Sequence, residues 1–130
     1  MTIAVCGIPA PQGSKRHVGK GVMIESSTKV KPWREAVKWA FIEAGSPHVS
    51  GPVAVSVVFE IPRPKSAKQN DLPGKKPDLD KLLRSTFDAI TEVGGWEDDS
   101  RVVHIAAQKK YSPFGGFATG GAVITIKEAL

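Results

Sequence analysis

Hydrophobic positions alternate with polar or small ones most cleanly at Val53–Ile61, where Val53, Val55, Val57 and Phe59 share one side. That period of two predicts a strand with one buried face. Residues 2–8 read as a second strand, broken by Pro9, Pro11 and Gly13. A period near 3.6 replaces the alternation in two places. Val37, Ala40 and Phe41 form an i, i+3, i+4 stripe that predicts a helix from Lys31 to Ala44, with Pro32 in its first turn and Gly45 at its end. Leu79, Leu82, Leu83, Thr86, Phe87 and Ile90 form the inner stripe of a helix over 79–92, with Asp78 as N-cap and Gly94-Gly95 as stop. Arg101–Tyr111 and Ala122–Lys127 read as two more strands joined by the glycine-rich stretch 112–121. Residues 12–29 are rich in glycine and lysine, with a short strand at Gly21–Ile24, and 62–77 carry four prolines and no period, which predicts a mobile surface loop. The expected architecture is α+β: one domain over 1–130, with a mixed or antiparallel sheet of about four strands and two main helices.

Composition agrees with one globular domain. The 130 residues are 41% hydrophobic and 24% charged, a balance that supports a packed core. The single cysteine, Cys6, excludes an internal disulfide and argues against a thiolate zinc site. Its place in an alternating apolar stretch predicts a buried thiol, in a chain suited to a reducing, cytoplasmic setting. No apolar run is long enough for a membrane span, and residues 1–5 lack the pattern of a signal peptide.

Charge changes the picture more. The formal net charge is +5, which favours a polyanionic partner such as nucleic acid. Its distribution is uneven: residues 1–77 carry +7, residues 78–99 carry −5, and residues 100–130 carry +3. The acidic segment holds Asp78-x-Asp80, Asp88 and Glu97-Asp98-Asp99. Each group alone has an ordinary role, as helix N-terminal decoration or as a solvated turn. If the fold brings them together, their repulsion calls for a cation, and oxygen-only donors suit Mg²⁺ or Mn²⁺. A carboxylate-bound divalent ion within a basic surface is what phosphodiester hydrolysis needs. Rival motifs fail on spacing. An EF-hand starting at Asp78 needs Gly and Glu where Leu83 and Ala89 stand, and Gly13–Lys20 has one residue too many for a P-loop. His17, His48 and His104 are too far apart for a helical zinc pair.

The stretch Lys76-Pro77-Asp78-Leu79-Asp80-Lys81-Leu82-Leu83-Arg84-Ser85-Thr86-Phe87-Asp88-Ala89-Ile90, followed by Gly95-Trp96-Glu97-Asp98-Asp99-Ser100-Arg101-Val102-Val103, resembles the RusA family of Holliday-junction resolvases. The resemblance implies a homodimeric, Mg²⁺- or Mn²⁺-dependent endonuclease, typical of phages and prophages. Such an enzyme makes paired symmetric nicks in four-way DNA junctions during recombination and repair. It places metal-binding aspartates at Asp78, Asp80 and Asp99, with Asp98 adjacent, and a basic catalytic residue at Arg84. Two departures stand out: Lys81 replaces the family's usual asparagine, and Arg84 its usual lysine. Arginine stays protonated, so a role at that position is electrostatic rather than that of a base.

Lys15, Arg16, Lys20, Arg63, Lys65, Lys68, Lys75, Lys76 and Lys81 are the candidate DNA contacts, and Phe114 and Phe117 are candidate stacking or packing residues. A dimer also follows from symmetry, since one site per subunit cuts one strand and resolution requires two. The alternatives are a nuclease of other branched DNA (forks, flaps, D-loops) and a catalytically silent DNA-binding or architectural protein.

Overall fold

A computed structural model describes residues 1–13, 15–17, 23–25, 28–113 and 120–129, with backbone alone for 15–17 and 23–25. The elements in chain order are β1 (Thr2–Cys6), β2 (Lys15–His17), β3 (Met23–Glu25), α1 (Val30–Glu43), β4 (Val53–Ile61), α2 (Leu79–Val93), a 3₁₀ turn at Asp99–Arg101, β5 (Val102–Tyr111) and β6 (Gly121–Glu128). Four strands form a mixed sheet in the order β1-β6-β4-β5, and β2 and β3 form a separate antiparallel hairpin. The α+β expectation therefore holds. The hairpin is more than the single short strand expected there. The stretch 114–119, with Phe114 and Phe117, lies outside the described residues, as does Lys20.

The buried faces follow the sequence periods. Val53, Val55, Val57, Phe59 and Ile61 all point inward from β4. They meet Ile124 and Ile126 of β6, Trp33, Val37 and Phe41 of α1, and Leu82, Phe87 and Ile90 of α2 in one core. Truncating a fully buried residue such as Leu82 to alanine would cost about 2–5 kcal/mol. Two polar side chains inside pair with each other and with the backbone: Trp33 Nε1 donates to Thr86 Oγ1 at 3.1 Å, and Thr86 Oγ1 donates to the Leu82 carbonyl at 2.8 Å. The two helices cover one face of the sheet, and the opposite face bears exposed Ala4, Ser56, Ala106 and Val123.

Cys6 corrects the sequence reading. Its thiol is exposed, because pairing of β1 with β6 turns Ile3 and Val5 inward and the alternate residues Ala4 and Cys6 outward.

The path β4–α2–β5 sets where the acidic residues stand in the fold. β4 and β5 are parallel neighbours, in register from Val55↔Ile105 to Ile61↔Tyr111. A helix joining two parallel neighbours must run back against them. α2 therefore starts at the end where β4 and β5 finish and stops at the end where they begin. It stops at Gly94, whose φ of 80° suits glycine. A Cβ at Gly95 would sit 2.7 Å from both Ile90 and Phe41, so only glycine lets the chain turn there so tightly.

Candidate functional site

Asp78 is the N-cap residue of α2, as its position after Pro77 predicts, with φ −70° and ψ 134°. Its carbonyl accepts the first helical bond from the Leu82 N–H at 3.0 Å, yet its carboxylate makes no capping bond. The side chain points instead toward Lys81, whose Nζ lies 3.8 Å from Oδ2. Both side chains are nearly half exposed, so this pair contributes at most about 1 kcal/mol. Asp80, in the first turn of α2, is exposed. The helix thus sends its leucines into the core and leaves two carboxylates on its open side.

Three connections hold this end of α2. Lys109, on the inward face of β5 in register with Phe59, donates from Nζ to the carbonyls of Lys75 (2.6 Å) and Pro77 (2.7 Å). Ser85 Oγ donates to the Ala10 carbonyl at 2.6 Å, and the Gln12 N–H donates to the Lys81 carbonyl at 3.0 Å. The chain after β1 is thereby stitched along the first turns of α2. Between that segment and the 76–81 stretch lies a cleft of about 590 Å³, floored by Ile61 and Pro62 and bordered by Lys29, Lys76, Asp78 and Lys81.

The other acidic group sits elsewhere. Glu97 pairs with Arg101 (2.7 Å), and Asp98 accepts from the Ser100 N–H (2.9 Å) as cap of the 3₁₀ turn. Hydrogen bonds from the Ser100 hydroxyl and backbone hold the Asp98 carboxyl below its ordinary value, with a smaller contribution from Arg101. Asp99 is exposed and leads directly into β5. Lys109, which touches Pro77, lies seven residues beyond Val102 on that strand, so the Asp78 and Asp99 ends are roughly 20 Å apart. The donor chemistry of these carboxylates fits a hard divalent cation. The arrangement in one chain does not: among the described residues no three acidic, histidine or cysteine side chains gather to hold a metal ion.

The remaining predicted residues divide by their surroundings. Arg84 is exposed and, among the described residues, makes no ion pair with Asp88. Arg63 is occupied structurally: its guanidinium donates to the Ser112 and Lys68 carbonyls (3.0 and 2.7 Å) and lies 5.4 Å from the centre of the Tyr111 ring. Lys65, Lys68, Lys75 and Lys76 are exposed on the 62–77 loop. The side chains of Lys15 and Arg16, and all of Lys20, lie outside the described residues. Sequence reasoning missed Lys109. A signal existed, since a lysine alternates with Ala107 and Tyr111 along the half-buried side of β5, where a charge needs a partner.

Among the described residues no helix is long and apolar enough to cross a membrane. No curated protein matches the chain. The family model for endodeoxyribonuclease RusA matches residues 7–125, a span that includes both acidic groups, the residues lining the cleft, both helices, β4, β5 and most of β6, and leaves out β1. By that match the chain belongs to the RusA family of endodeoxyribonucleases.

Proposed function

We propose that this endodeoxyribonuclease resolves four-way DNA junctions as a homodimer, dependent on Mg²⁺ with Mn²⁺ as a substitute, in recombination and repair. The observation that carries the reading is the division of the acidic residues between the two ends of α2. Asp78 and Asp80 stand at the braced end, and Asp98 and Asp99 stand exposed at the other. A second copy related by a twofold axis can present its Asp99 end to the first copy's Asp78 end, and the reverse holds by symmetry. Two equivalent sites then form together, which is the requirement for paired symmetric nicks. A divalent cation in such an oxygen set supplies polarisation of the scissile phosphate and acidification of water.

The chain's own residues supply the rest. Arg84, exposed in the second turn of α2 and permanently charged, offsets negative charge developing on the phosphate. Lys75, Lys76 and Lys81, close in the chain to Asp78, position the backbone, and Lys65, Lys68, Lys15, Arg16 and Lys20 add further phosphate contacts. Such a substrate places the enzyme in the cytoplasm of a bacterial cell, in keeping with the phage and prophage origin typical of the family.

The test is incubation of the purified protein with labelled four-way junction, linear duplex and flap DNA, with and without Mg²⁺. Symmetric nicks confined to the junction and dependent on Mg²⁺ are expected. Equal cutting of flaps would replace junction resolution with a broader branched-DNA nuclease. Binding without cutting would support an architectural role.

A further inference from the structure

The cleft beside Asp78 has features that holding a metal ion does not require. Its volume of about 590 Å³ lies within the range that takes a small organic ligand. Its walls are largely aliphatic and proline, from Ile8, Pro9, Ile61 and Pro62, while Lys76 and Lys81 stand at its border next to the aspartate. Ile8 is 51% exposed although it lines this cleft. An apolar wall rimmed by lysines is complementary to a flat apolar ring carrying a phosphate. We propose that the cleft receives one unpaired nucleoside unit of the DNA strand, its base against the wall that Ile8 and Pro62 line and its phosphate at Lys76 and Lys81. This deepens the junction-resolving reading and rests on it.

The cleft also offers a physical source of branch selectivity. Drawing a base out of a linear duplex costs its pairing and stacking, and that cost falls where the base is already unpaired. A four-way junction opens the stack at its crossover, so a base there enters the cleft most cheaply. The Ser85–Ala10 and Gln12–Lys81 bonds hold the two walls in place before DNA arrives, so little ordering is required on binding.

The experiment is a cycle between one residue and one base, read by binding in EDTA. Affinity is measured for wild type and Ile8→Asp on four-way junctions carrying either natural nucleotides or a single abasic residue at the crossover. Ile8 is exposed, so the variant should melt as wild type does, and circular dichroism checks this. The abasic junction should bind wild type about fivefold to tenfold more weakly. Ile8→Asp should weaken the natural junction to a similar extent, and the two changes together should do little more than either alone. Lys81→Gln should lower the slope of log affinity against log salt by about 0.7–0.9. Losses that multiply, or an abasic site that wild type tolerates, would overturn the assignment. Nicking of the natural junctions by wild type in Mg²⁺ is scored in parallel. Nicking without coupling removes the cleft inference alone, whereas absence of both binding and nicking removes the resolvase reading, and the inference with it.

Discussion

The two ends of α2 carry similar carboxylates in unlike surroundings. At its start, Asp78 and Asp80 stand on a helix terminus braced by Lys109, Ser85 and Gln12, beside a formed cleft. Beyond its end, Asp98 and Asp99 stand on a short turn whose bonds are local, Ser100 to Asp98 and Arg101 to Glu97. The first region is built by contacts between residues distant in sequence. The second holds its own shape and faces outward. In a catalytic assembly, the braced end suits the part that positions DNA, and the outward end suits the part offered to another molecule. The contrast supports the proposal that one chain contributes two half-sites to a dimer rather than one whole site.

The largest expected effect removes the braced half. Asp80→Asn should reduce nicking by at least about a hundredfold, roughly 2.7 kcal/mol in the barrier. Junction binding should hold or tighten, because a negative charge facing DNA is lost. Near wild-type nicking in Mg²⁺ would take Asp80 out of the reaction.

Mixing variants then asks whether the halves belong to different chains. Asp80→Asn and Asp99→Asn chains, each inactive alone, form mixed dimers that make up about half of an equal mixture. If the site is shared, each mixed dimer has one composite site with both substitutions and one with neither. Nicking of single strands should return while full resolution does not. A mixture as inactive as its components would show that each site lies within one chain and that the two ends of α2 do not serve different subunits.

A smaller effect tests the bracing. Lys109→Met removes both donors to the Lys75 and Pro77 carbonyls, at a cost of about 1–2 kcal/mol. Thermal midpoint should fall by about 3–6 °C, and nicking should fall about tenfold as Asp78 loses its fixed backbone. Lys109→Arg, which keeps the charge and donors, should recover much of both. If Lys109→Met melts early but nicks as well as wild type, Lys109 stabilises the fold without positioning the site.

These regions were also unequally legible in the sequence. The alternation at Val53–Ile61 and the stripe of α2 located their elements, and Asp78 and Gly94 marked the ends of that helix, because such signals are local. The family motif likewise gathers its residues within one stretch of chain. Spatial relations were less readable. Carboxylates close in sequence suggested convergence, but a crossover between parallel strands sends the start of its helix and the start of the next strand to opposite ends. Cys6 was misplaced for a related reason: a short apolar run fits either phase, and only pairing with β6 decides which side chains turn inward. Lys109 finds its acceptors more than thirty residues away, beyond the reach of any local pattern.

The smallest predicted effect concerns the outward end, and there pH gives the sign. Asp98 is held below its ordinary value of 3.8, first by the Ser100 hydroxyl and then by the Ser100 backbone. Between its folded and unfolded values the unfolded chain binds more protons, so stability rises with pH across that window. The contribution is fully present above the unfolded value and disappears as pH falls through the folded one. Asp98→Asn should therefore lower the thermal midpoint slightly at neutral pH, and the difference from wild type should close on acidification below about 4. Ser100→Ala, which keeps the backbone donor, should show a smaller gap that closes over the same range. Since every contact involved lies between residues 98 and 101, neither variant should alter the anchoring of Asp78. Metal-free junction binding should change little in both. A marked loss of that binding in Ser100→Ala would show that the turn contributes to the DNA-positioning end after all, and that the two regions are less separate than their geometry implies.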